Sequence, residues 1–161
     1  MSTRQLLLFG GIALAILSMS YGLWYAVFAE HQALDDIGMS LTSGFQAAAQ
    51  RNPTDAEKAL LQYRQAKYNY DRQVDVHGHW LGLSMLLIVL ALAADQISIS
   101  EKSKRLLASC LILGCVLFPL GVLMEIWSNG PFPRAVAIAG SALVLASLAG
   151  IVLGVLRRSD P

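Results

Sequence analysis

The chain has 161 residues, 55% of them hydrophobic and 14% charged, with a formal net charge of +1. A soluble domain carries about 25% charged residues, so much of this chain is expected to face something other than water. The near-neutral charge, and the lack of any basic run interleaved with aromatics, argue against nucleic acid as a partner.

Crossing a membrane takes roughly 20 apolar residues in a helix. The first stretch of that kind covers residues 6–29. Its apolar run exceeds the roughly 7–15 residues of a signal-peptide core, so it reads as a retained span. Three more follow at about 76–95, 106–127 and 135–156. None of the four holds Asp, Glu, Lys, Arg or His in its central part. The expected fold is all-α: an integral membrane four-helix bundle, treated as a single membrane domain over residues 1–161.

Orientation follows from the Lys and Arg of short loops. Arg4, then Lys102, Lys104 and Arg105, then Arg157 and Arg158 fall on one side; the other short connection, 128–134, has only Arg134. Both termini are therefore expected in the cytoplasm, and for a bacterium the membrane is the inner one. Tyr21, Trp24, Tyr25 and Phe28 gather at the outer end of the first span, with Trp80 and Trp127 at the outer ends of the second and third. That is an interfacial aromatic belt.

The connection at 30–75 is too long for a structureless loop. It is expected to form an external helical hairpin broken at Arg51-Asn52-Pro53. Thr54 opens a capping box with Glu57, and no Gly or Pro follows until the second span, which predicts one helix from about Thr54 to Asp95. Each arm carries an apolar stripe in steps of three and four. One reads Leu34, Ile37, Leu41, Phe45, Ala48; the other reads Leu60, Tyr63, Ala66 or Lys67, Tyr70, Val74. Packing these stripes together would close the hairpin.

Extending the stripes toward the membrane brings in His31 on one arm and His77 on the other. They lie about 21 and 25 residues from the tip, a height difference of roughly 6 Å. His79 sits about 200° round the helix from His77 and would point toward the third or fourth helix, where Glu125 ends the third span. Ionisable groups at a membrane boundary cost free energy unless paired or functional, and histidine is the commonest metal ligand. His31, His77, His79 and Glu125 are therefore the candidate metal ligands, with Trp80 and Tyr70 as candidates to line a bound haem.

The run Val76-His77-Gly78-His79-Trp80-Leu81-Gly82-Leu83 places a His-x-His pair at the opening of an apolar helix, with a glycine shortly after. It resembles helices of the haem-copper oxidase and nitric oxide reductase superfamily and of small membrane proteins related to it. The resemblance covers about ten residues. It implies that His77 or His79 ligates haem b or copper. No Cys-x-x-Cys-His occurs, so covalent c-type haem is excluded. The expectation is a small haem- or copper-binding membrane protein serving electron transfer or redox or gas chemistry at the outer face. The alternative is a non-enzymatic docking or assembly subunit of a respiratory or envelope complex. Partners beyond the lipid bilayer would then be a second copy or a larger membrane complex.

Small residues mark the remaining helices. Gly10-Gly11 lies in the first span and Gly150-x-x-x-Gly154 in the fourth, with Ala137, Gly140, Ser141 and Ser147 before it. Such patterns permit close helix contact, so the fourth span is expected to pack tightly or dimerise. Pro119 in the third span is expected to bend it. Cys110 and Cys115 lie about 140° apart on a helix and read as packing residues.

Overall fold

The structure is a computed structural model that describes residues 1–128 and 130–156. Arg157 and Arg158, counted above for orientation, lie outside the described residues. Among the described residues every regular element is helical: α1 (Thr3–Phe28), α2 (Glu30–Ala49), α3 (Pro53–Leu92), a 3-10 turn (Ala94–Gln96), α4 (Glu101–Met124) and α5 (Pro131–Leu156). Four of these, α1, α3, α4 and α5, are long and apolar enough to cross a membrane. The chain divides into two compact units. One comprises Met1–Met19 and the described residues from Asp75 onward; the other is Ser20–Val74.

In the first unit, α4 and α5 pack through their smallest residues. A Cβ on Gly140 would collide with the backbone of Phe118 and Leu117, and one on Gly121 with the backbone of Ala137. A Cβ on Gly114 would lie 2.8 Å from the Gly140 carbonyl oxygen. Close backbone approach of this kind is how apolar helices gain contact where lipid offers no hydrophobic drive. Of the two expectations for Gly150 and Gly154, tight packing or dimerisation, the structure shows tight packing inside the unit. Gly150 faces Leu107, and Gly154 faces Ile97 and Ile99. Gly10 meets Ile112 of α4, and Gly11 meets Ile88 and the Ser84 carbonyl of α3. The helix α4 continues through Pro119, which is buried.

The charged end of this unit is tied together. The Thr3 hydroxyl donates to Glu101 over 3.2 Å, Lys104 lies 3.2 Å from Glu101, and Arg4 lies 3.9 Å from Asp95. Arg4 and the Lys102–Arg105 cluster therefore belong to one end, as the charge pattern predicted. Ser100 caps α4 by accepting from the Ser103 amide, and the Ser98 amide donates to the Gly154 carbonyl over 2.9 Å.

In the second unit, α1 passes into α2 with only Ala29 between them. Backbone hydrogen bonds from Ala29 to Tyr25 and from Ala33 to Ala29 carry the helical register across. At the tip, Arg51 takes a left-handed φ of 53°. The next helix starts one residue before the predicted Thr54. Asn52 accepts from the Asp55 amide at 3.2 Å and donates to its carboxylate at 2.6 Å, and Pro53 occupies the first helical position. The cap is thus an Asn-Pro start rather than the Thr54–Glu57 box. The same helix ends at Leu92, three residues short of Asp95.

The two arms do pack, but on only part of the predicted stripes: Ile37, Tyr63, Ala66 and Tyr70 are half-buried. Ser40, Ala47 and Ala59 are the buried residues at their contact, and a Cβ on Gly44 would lie 3.6 Å from that of Ala59. The Ser40 hydroxyl donates to the carbonyls of Asp36 and Ile37 in its own helix, which lets a polar residue sit at a seam. Small residues win that position because they bring the backbones closer. Leu34, Leu41, Phe45, Leu60 and Val74 stay 40–74% exposed.

Candidate functional site

The rotation of the α2 seam moves His31. It shares a side with Leu34, and both are exposed. His31 would turn inward only if the Leu34–Phe45 stripe were the packed one.

His77 belongs to the first unit and is held by α1. Its Nδ1 lies 3.0 Å from the carbonyl oxygen of Ser18 and 3.2 Å from the Ser18 hydroxyl. That hydroxyl donates to the His77 carbonyl over 3.0 Å. A carbonyl oxygen can only accept, so Nδ1 carries the proton and Nε2 presents a lone pair. Ser18 is fully buried. It is the contributor that the sequence reading missed, because one serine among apolar residues gives no signal of its partner.

His79 follows the same rule by a different route. Its Nδ1 lies 2.6 Å from the Asp75 carbonyl, one turn back in its own helix, so Nδ1 is again the donor and Nε2 the nitrogen turned away from the backbone. The group that α4 brings to it is Phe118, edge-on at 4.8 Å between ring centroids. Glu125 lies seven residues beyond Phe118, about two turns along, and follows the last residue of α4. Trp80 is 5% exposed.

Tyr70 sits in the second unit. Its hydroxyl is 3.5 Å from Glu30, and its ring lies 6.4 Å from that of Tyr25. The Tyr25 hydroxyl is buried and has no hydrogen-bond partner among the described residues. Nearby, the Tyr21 hydroxyl donates to Gln73 over 3.3 Å.

Among the described residues, no three His, Cys, Asp or Glu side chains come together as a set able to hold a metal ion. What the geometry offers is two imidazoles, each fixed through Nδ1 to a main-chain carbonyl. That anchoring orients a histidine and fixes which nitrogen is left to act as a ligand.

No protein-family model, no curated protein and no solved structure matches this chain.

Proposed function

We propose that this is a small haem-binding protein of the bacterial inner membrane, with both termini cytoplasmic and residues 30–75 on the outer side. It would serve electron transfer or redox or gas chemistry at the outer face. One observation carries the reading: the imidazole of His77 is locked between helices by the reciprocal bonds with Ser18, leaving Nε2 as the ligand atom.

The donor set favours haem over copper. The copper geometries that imidazole and carboxylate favour gather three or four ligands in one place, whereas haem takes one or two imidazoles. His77 and His79 point about 200° apart on one helix, so they do not serve the two faces of one haem. His77 would be the residue that holds the haem, and the chemistry a bound haem would supply is gas binding or electron transfer. Ser18 orients the ring and keeps the proton on Nδ1. Phe118 holds the His79 ring edge-on, away from that role.

The test is an optical spectrum of the full chain extracted in mild detergent, with haem and copper measured on the same sample. We expect a Soret band that His77→Ala abolishes and His79→Ala retains. A colourless preparation overturns the proposal, and so does a band indifferent to His77→Ala. Bound copper without haem overturns the choice of cofactor.

A further inference from the structure

In the first unit, α1 and α4 run side by side, level at Thr3 and Glu101 and again at Gly10 and Ile112. Between them lies a groove of about 340 Å³, walled by Leu6, Phe9, Ala13 and Leu17 of α1 and by Ile112 and Val116 of α4. Two small residues shape it. Gly10 lets α1 approach so closely that a Cβ there would lie 2.8 Å from the Ile112 side chain. Ala13 leaves a notch between Phe9 and Leu17, whose side chains stand exposed on either side. Both helices are long and apolar enough to cross a membrane. In a membrane the medium beside this groove is hydrocarbon.

The length of the groove fits one leaflet. Leu6 to Leu17 covers about 16 Å at 1.5 Å per residue. That is about half of the roughly 30 Å hydrocarbon core of a bilayer.

One end of the groove has a basic rim. Arg105 precedes Ile112 by about two turns on the same side of α4. Lys102 lies one turn before Arg105, and both are exposed. With Gly10 and Ile112 level, Leu6 lies about 6 Å toward the charged end and Arg105 about 10 Å. Arg105 therefore stands just beyond the last apolar wall. The nearby carboxylates are already engaged: Glu101 by Thr3 and Lys104, Asp95 by Arg4. Among the described residues, Lys102 and Arg105 form no salt bridge.

We infer that this groove and its rim are a site for an anionic phospholipid. One acyl chain lies between α1 and α4, and the phosphate sits on Arg105 and Lys102. Basic residues beside apolar helices select anionic headgroups, and the adjoining groove adds a fixed place for the chain. The inference rests on the reading that these helices span a membrane and is independent of any haem. In the orientation proposed above, the lipid belongs to the inner leaflet.

The test is lipid binding to the full chain in mild detergent, counted by native mass spectrometry. The probes are dioleoyl phosphatidylglycerol and the phosphatidylcholine with the same chains. The wild-type chain is expected to hold the anionic lipid roughly 10–30-fold more tightly, the scale of two basic residues at a membrane surface. Lys102→Gln combined with Arg105→Gln should bring the two lipids to parity. Ala13→Phe should fill the notch and weaken both, whereas Ile138→Phe, at an exposed position of α5, should weaken neither. Inorganic phosphate should displace neither lipid. Unchanged helical circular dichroism separates lost binding from lost folding. Should Ala13→Phe fail to fold, Phe9→Ala, which removes a groove wall, takes its place. Equal retention of the two lipids overturns the inference. So does a preference that survives the double Gln change, binding indifferent to the groove variants, or displacement by phosphate. Release of the chain from its membrane by alkaline carbonate would overturn the spanning reading itself; a chain that stays inserted and shows no lipid preference overturns this inference alone.

Discussion

Ser18 and His77 hold each other from both ends. The imidazole nitrogen donates to the serine carbonyl at 3.0 Å, and the serine hydroxyl donates to the histidine carbonyl at 3.0 Å. Two helices are joined through their backbones by one pair of side chains. Ser18→Ala removes one of these bonds and leaves the His77 carbonyl with one bond fewer. The expected loss is about 0.5–1.5 kcal/mol, read as a lower thermal midpoint in detergent. An unchanged midpoint would mean the bond contributes nothing net.

Glycines divide sharply by what surrounds them. Gly140→Ala would drive a methyl into the Phe118 backbone, which cannot swing aside as a side chain can. Overpacking costs about 1–3 kcal/mol or more. Gly82→Ala meets nothing within 4 Å and removes a flexible residue from a helix, so it should stabilise by up to about 1 kcal/mol. Denaturation of the two variants in the same detergent should shift in opposite directions.

The hairpin tip gives a second such contrast. Asn52→Ala deletes the side-chain acceptor of the Asp55 amide and should cost about 1 kcal/mol. Arg51→Gly relieves the left-handed backbone at φ 53° and should be neutral or stabilising by up to about 1 kcal/mol. Limited proteolysis at the tip reports both: faster cutting for the first, no faster for the second.

Lys67 lies in the N-terminal half of α3, outside its apolar stretch. Its ammonium donates to Asp71 at 2.8 Å, and that bond, before the carboxylate's charge, holds the lysine pKa above its ordinary 10.5. A raised folded value means the stabilisation is fully present below the unfolded value and is lost as pH rises through the folded one. The stability gap between the wild-type chain and Lys67→Met should therefore be flat at neutral pH and shrink above about 10.5. The side chain is solvated, so the gap is small and salt should narrow it. A gap that widens in alkali would contradict the pairing.

The four spans were legible because length and the absence of charge suffice to mark them, and the long third helix because nothing between Thr54 and the second span breaks it. The hairpin seam was not. Periodicity reads the largest apolar residues as the buried ones, so Leu34, Leu41 and Phe45 were turned inward, and His31 with them. Close approach of two backbones instead rewards Ser40, Gly44, Ala47 and Ala59, whose smallness carries little hydrophobic signal. The cap was missed for a similar reason. Thr54 fits a familiar pattern, but Pro53 fits the first helical position better, and that passes the cap to Asn52. His77 and His79 were placed on different sides of one helix by counting alone; their carbonyl anchors depend on Ser18 and on the Asp75 backbone, which no spacing rule reveals.

The inward glycines of the membrane helices leave Phe9, Ile16, Met85, Val89, Ile138 and Leu145 on the outside, each more than half exposed. In a membrane these bulky side chains would meet acyl tails, a fluid that accommodates almost any hydrocarbon shape. Selection on sequence would then be inverted from that of a water-soluble core. Drift would run freely through the big residues, and the smallest letters, Gly114, Gly121 and Gly140, would be the ones that descendants of this chain could not respell.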